Sequence, residues 1–194
     1  VAFDASQRAR GRHKKLAGRP AILLKPDDRP ERLQWAAAHE LGEVFAYRAC
    51  ERMGLSAEDL PDGAREMTAN LLATRLLLPW NWFVGDARRT DGDLLVLKEI
   101  YRTASHELIA WRLLDLPERS IVSIFDQGQL TRRRCSNGSR PPLLRESERV
   151  CWAGVHQEGR PASRKEEGFV VQGWPIHEPG WKREILRTVG CEDD

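Results

Sequence analysis

The chain has 194 residues, enough for one well-packed core or two small ones. Hydrophobic residues make up 41% and charged residues 31%, which is too apolar for a disordered chain. The longest apolar stretch, around Leu76-Leu77-Leu78-Pro79-Trp80, is too short for a membrane helix, so no membrane partner is expected. A net charge of +2 excludes the bulk electrostatic attraction typical of dedicated nucleic-acid binders.

The chain opens with Val1, as a piece of a longer protein would. Its basic lead, Arg8 to Lys15, has no apolar segment behind it and does not read as a secretory signal. The four cysteines, Cys50, Cys135, Cys151 and Cys191, form no C-x-x-C pair, so reduced thiols in a cytoplasm are expected. Arg and Lys predominate before Arg32 and again from Arg132 to Lys165. Such blocks are usually solvated faces.

Ala21-Ile22-Leu23-Leu24, between Gly18-Arg19-Pro20 and Pro26-Asp27-Asp28, predicts a strand. A helical pattern follows from about Pro30 to Arg52, with Leu33, Ala37, Leu41, Val44 and Phe45 spaced to face a core and Gly54 placed to end it. Leu60-Pro61-Asp62-Gly63 predicts a turn in which Asp62 caps a second helix, roughly Gly63 to Leu78, stopped by Pro79. Two more helical stretches are expected at Gly92 to Arg102 and Ser105 to Leu116.

From Pro117 the pattern changes. Ile121 to Phe125 and Gln129 to Arg134 flank Asp126-Gln127-Gly128 as a hairpin would, and Gly168 to His177 reads as another strand. Ser136 to Pro142 and Gly159 to Glu167 have loop composition, and Glu178-Pro179-Gly180 suggests the start of a last short helix through Val189, stopped by Gly190. The expected fold class is α+β: a helical core with a small β-sheet over residues 1–118, then a β-rich region over 119–194.

The strongest helical pattern contains Ala38-His39-Glu40-Leu41-Gly42-Glu43. Residues four apart share a helix face, so His39 and Glu43 point the same way and can share one ion, with Glu40 beside them where a carboxylate can take a proton from bound water. This is the H-E-x-x-H geometry with glutamate in the second histidine's place. On the second helix, Glu66 and Asn70 form a polar pair at i and i+4 among leucines, and a buried carboxylate there requires a partner such as a cation.

The order strand, A-H-E-L-G, E-x-x-x-N with a Leu-Leu-x-Pro ending, and helix pair resembles the ImmA/IrrE family of bacterial metallo-endopeptidases, over roughly Arg19 to Leu116. The resemblance implies a zincin-like core with His39 and Glu66 as zinc ligands, Glu43 in the place of the second histidine, Glu40 as general base and Asn70 orienting a ligand. It also implies a zinc-dependent endopeptidase, with a protein substrate such as a transcriptional repressor, in a stress-response setting in the bacterial cytoplasm. Two anionic ligands neutralise the dication, so weaker metal binding, slower hydrolysis and less discrimination against manganese or magnesium are expected. The alternative is a catalytically weak or inactive pseudo-peptidase acting as a regulatory protein- or DNA-binding module.

Other residues have blander readings. His106 begins a second H-E-L string but has Ala110 four positions on, and reads as a first-turn surface residue after a Ser105 cap. His13, His156 and His177 lack acids at ligand spacing and read as structural or exposed. The helix pair from Gly92 to Leu116 offers a helix-turn-helix reading, with Arg102, Trp111 and Arg112 near nucleic acid, although packing explains its leucines more simply. Trp80 and Trp82 read as core or as a cleft wall. Arg132-Arg133-Arg134 reads as a strand-edge guard.

Overall fold

The computed structural model describes residues 1–56, 61–166 and 168–190. Cys191, Leu60 and the side chain of Asp62, which carries the expected helix cap, lie outside that description. The fold is α+β. The chain forms two compact units, Val1–Asp86 with Lys98–Ser105, and Ala87–Leu97 with His106–Asp194. Among the described residues no helix is long and apolar enough to cross a membrane.

The first unit contains a three-stranded sheet of β1 (Ala2–Phe3), β2 (Gly11–Leu16) and β3 (Arg19–Leu24), in the order β1-β3-β2. The basic lead is therefore structured: β2 pairs antiparallel with β3 through a turn at Ala17 and Gly18, both at positive φ (47° and 78°) as a tight two-residue hairpin requires. Charged side chains on an edge strand hid it, because only β3 has a buried face. Helix α1 (Pro30–Arg52) packs on β2, on β3 and on α2 (Asp62–Leu77). Apart from Glu40 its buried positions are small, Ala36, Ala38, Gly42, Ala46 and Cys50, whereas the expected core residue Phe45 is exposed.

Gly42 explains why. A Cβ there would lie 2.5 Å from the Ala69 carbonyl oxygen of α2, so the two helix backbones meet where only glycine fits. After Pro79, α3 (Trp80–Arg89) begins where no helix was expected. It buries Phe83 against Tyr101, with ring centroids 5.6 Å apart, while Trp82 faces solvent. The expected long helices at 92–102 and 105–116 are the shorter α4 (Leu94–Ile100) and α5 (His106–Leu113). Asp93 caps α4 by accepting the Leu95 and Val96 amides at 2.9 and 3.1 Å.

The second unit is built on an antiparallel sheet in the order β5-β4-β8-β7-β6: β4 (Ser120–Asp126), β5 (Gln129–Cys135), β6 (Ala162–Glu166), β7 (Phe169–Pro175) and β8 (Arg183–Gly190). Gln127 and Gly128, at φ 52° and 80°, make the β4–β5 hairpin turn. Two expectations change here, the first being that the stretch read as loop from Gly159 contains the exposed strand β6. The segment read as a last helix is β8, whose entry is the tight turn closed by a bridge between Glu178 and Trp181. Its Ile185 to Thr188 run is buried on both faces between β4 and β7, so the period-2 signal is lost. A helix, α6 (Glu146–Glu158), occupies a stretch whose apolar positions are diluted by charge, and ends at Gly159 in the left-handed region. It covers one sheet face through Phe125, Cys151, Val155, Val171 and Leu186. Gly173 lets it approach, since a Cβ there would meet Val155 at 2.9 Å.

Candidate metal centre

Three ligand-type side chains from α1 and α2 meet in the first unit. Ligand atoms of His39, Glu43 and Glu66 all lie within 4.8 Å of one another. His39 Nε2 is 3.9 Å from a Glu43 oxygen and 3.6 Å from a Glu66 oxygen. The close helix approach at Gly42 makes this possible, because it brings the faces carrying His39 and Glu66 within side-chain reach.

Asn70 orders the cluster. Its Nδ2 donates to Glu66 Oε1 at 3.1 Å, which turns its Oδ1 toward His39 Nδ1 at 3.0 Å. An amide oxygen only accepts, so Nδ1 carries the hydrogen and Nε2 is the nitrogen facing the two carboxylates. Two carboxylates facing that nitrogen call for a positive charge, which a proton on Nε2 or a cation held between the three side chains supplies. The donor set of one imidazole and two carboxylates suits a borderline or hard divalent cation, and the exposed Glu66 side chain, at 58%, leaves an open approach.

Glu40 is placed differently. It is 7% exposed and leans on β2, where a Cβ on Gly11 would sit 2.7 Å from its Cγ and Oε1, and it accepts the backbone N–H of His13. Burial pushes its carboxyl above the ordinary range, Glu43 adds to that, and the His13 amide opposes it. Trp80 and Trp82 are partly and largely exposed, and His106 opens α5 outside the cluster.

The helix-turn-helix reading loses two of its three contacts. Arg112 is buried and ion-paired with Asp115, and Trp111 donates to Glu107 at 3.2 Å while the Arg134 guanidinium lies 4.6 Å from its ring centre. The arginines of β5 are likewise engaged: Arg132 pairs with Glu107, and Arg133 with Glu148.

Two polar clusters escaped sequence reasoning because their members come from separate elements. His156 Nδ1 and His177 Nε2 both contact Oε1 of the fully buried Glu184, at 2.9 and 2.7 Å, with Trp152 Nε1 donating to Oε2 at 3.2 Å. The two histidines are thus partnered and half-buried. The other centres on Arg187, an interior arginine in a strand that also carries Arg183, Glu184 and Thr188, so its charge alone did not single it out.

No protein-family model matches the chain, and no curated protein matches it. Among solved structures, a Mycobacterium tuberculosis transcriptional regulator is similar at 16% identity and a TM-score of 0.61, over 97% of this chain and 65% of that chain. The endopeptidase expectation is corrected by this finding. The arrangement of strand, H-E helix and E-x-x-x-N helix, which suggested a hydrolase, belongs to a fold that a transcriptional regulator also has, so it does not announce proteolysis.

Proposed function

We propose that this chain is a regulatory binding module on a peptidase-like scaffold, with His39, Glu43 and Glu66 holding one divalent cation, zinc or manganese, as a tie between α1 and α2. The observation that carries the reading is the shared fold, over nearly the whole chain, with a protein described as a transcriptional regulator. A bound dication would neutralise Glu43 and Glu66 and satisfy the Nε2 lone pair of His39.

Charge favours a polyanionic partner such as DNA. Arg12, Lys14 and Lys15 on β2 and the neighbouring Arg8, Arg10 and Arg19 are all exposed in the first unit. Two measurements test the reading together. Retention of the purified chain on duplex DNA is expected to fall steeply as salt rises, by counterion release. Digestion of protein substrates is expected not to exceed that of a Glu40→Gln control. Salt-independent passage through the DNA column, or cleavage abolished by Glu40→Gln, overturns it.

A further inference from the structure

Within the second unit, β7 and β8 present a small patch of one sheet face. Val170 pairs with Val189 and, two residues along, Gln172 pairs with Arg187. Above this patch lies a cavity of about 330 Å³, lined also by Leu116, Asp91 and Gly92. That volume is in the range of small-ligand pockets.

Arg187 is only 5% exposed. Its hydrogen bonds among the described residues both come from Nη1, to the Asp91 carbonyl at 3.4 Å and to Gln172 Oε1 at 3.3 Å, and both are long. Its Nε is buried without a partner. No carboxylate of the described residues forms an ion pair with it; Glu118 and Asp91 act on it only from a distance, and burial lowers its pKa against their pull. A cation left this way is an open request for an anion. By contrast, the equally interior Arg133 has both oxygens of Glu148.

The surroundings define what fits. Arg187 lines the cavity, and a guanidinium's planar fork of N–H donors matches a carboxylate. Leu116, Val170 and Val189 supply apolar wall. The lining also carries Arg88, Asp91 and Glu118, all exposed, so its formal charges balance, but neither carboxylate lies within ion-pair distance of Arg187. Gly92, at φ 67°, belongs to the same construction: a Cβ there would lie 2.0 Å from Arg187 Nη1, so the backbone can hold the arginine's occupied end only with glycine.

We propose that this cavity binds a small organic anion, a carboxylate that pairs with the Arg187 guanidinium and whose apolar part lies against Leu116, Val170 and Val189. Such a site goes beyond the regulatory reading and is tested without DNA or metal. Benzoate is the probe, benzyl alcohol its neutral counterpart, and inorganic phosphate an anion with no apolar part. Calorimetric titration and thermal denaturation of the full chain are expected to show benzoate binding more tightly than either comparator. Binding should weaken at least about tenfold in Arg187→Met, a replacement that removes the charge and keeps the volume apolar. Val170→Trp keeps Arg187 and fills the cavity, and should weaken benzoate binding to the same degree. Absence of benzoate binding by the wild type, equal binding by Arg187→Met in a folded sample, or undiminished binding by Val170→Trp overturns the proposal, as does benzyl alcohol or phosphate matching benzoate.

Discussion

The cluster of His39, Glu43 and Glu66 and the cluster around Glu148 are made of similar parts, acids beside a basic side chain, yet they are finished differently. Glu148 is fully buried and self-sufficient: Arg133 reaches both its oxygens at 3.0 and 2.8 Å, Thr188 donates at 2.6 Å, and the Arg145 amide donates at 2.8 Å. Glu43 and Glu66 are substantially exposed and share one imidazole between them. The first arrangement carries its own fixed cation and has no use for another. The second leaves a place for a charge from outside, and this separates a candidate binding centre from a structural ion pair more clearly than residue type does.

The comparison breaks most visibly at Arg133. Arg133→Met strands a buried carboxylate and is expected to cost about 3–5 kcal/mol in chemical denaturation. Replacing both partners, Arg133→Met with Glu148→Met, should recover most of that loss. The acid limb sharpens the point. Burial pushes the Glu148 carboxyl up, but Arg133, Thr188 and the Arg145 amide outweigh it and hold the folded carboxyl below its ordinary range. A depressed folded pKa contributes stability that is present above the unfolded carboxylate value and is lost as pH falls through the folded one. The double variant should therefore lose less stability on acidification than the wild type; an unchanged acid limb refutes the assignment.

Next in size is Gly42→Ala. Its Cβ would meet the Ala69 carbonyl, which is backbone and cannot swing aside, so α1 and α2 must separate. A loss of about 1–3 kcal/mol is expected, with weaker zinc binding measured by competition with a chromogenic chelator. Retained zinc affinity in a destabilised variant shows that the helix approach does not set the cluster.

How much of this was legible follows from what each residue faces. His39, Glu43, Glu66 and Asn70 stood out because helical spacing places i and i+4 together and because polar residues are conspicuous on a leucine-rich helix. The β4–β5 hairpin announced itself through Gln127-Gly128. By contrast, β2 is a charged edge strand with almost nothing buried, and β8 is buried on both sides, so neither shows alternation. Helix α6 hides its apolar stripe among charges because Glu148 itself belongs to the interior. Phe45 pointed to the wrong face of α1, since the contact surface is made mostly of alanine and glycine selected by closeness of backbone. The cavity at Arg187 was beyond reach, because its lining comes from four separate stretches of chain.

Two smaller effects address the open cluster itself. Glu43→His exchanges one anionic ligand for an imidazole and should raise zinc affinity about tenfold, because zinc favours nitrogen donors and the site discriminates better against hard cations. Equal or weaker affinity in that variant removes Glu43 from the ligand set.

The smallest expected effect is the most discriminating. Glu66→Gln keeps the volume and keeps an oxygen for Asn70 Nδ2, and the side chain it replaces is more than half exposed. Without added metal its stability should lie within about 0.5 kcal/mol of the wild type. With zinc the two should part, since a ligand that binds only the folded state raises its stability in proportion to affinity, and the variant lacks one of the two carboxylates. Thermal denaturation of both proteins with and without zinc reads this directly. If zinc raises both melting temperatures equally, Glu66 is a surface acid that happens to lie near His39, and the cluster resembles the Glu148 network in composition only.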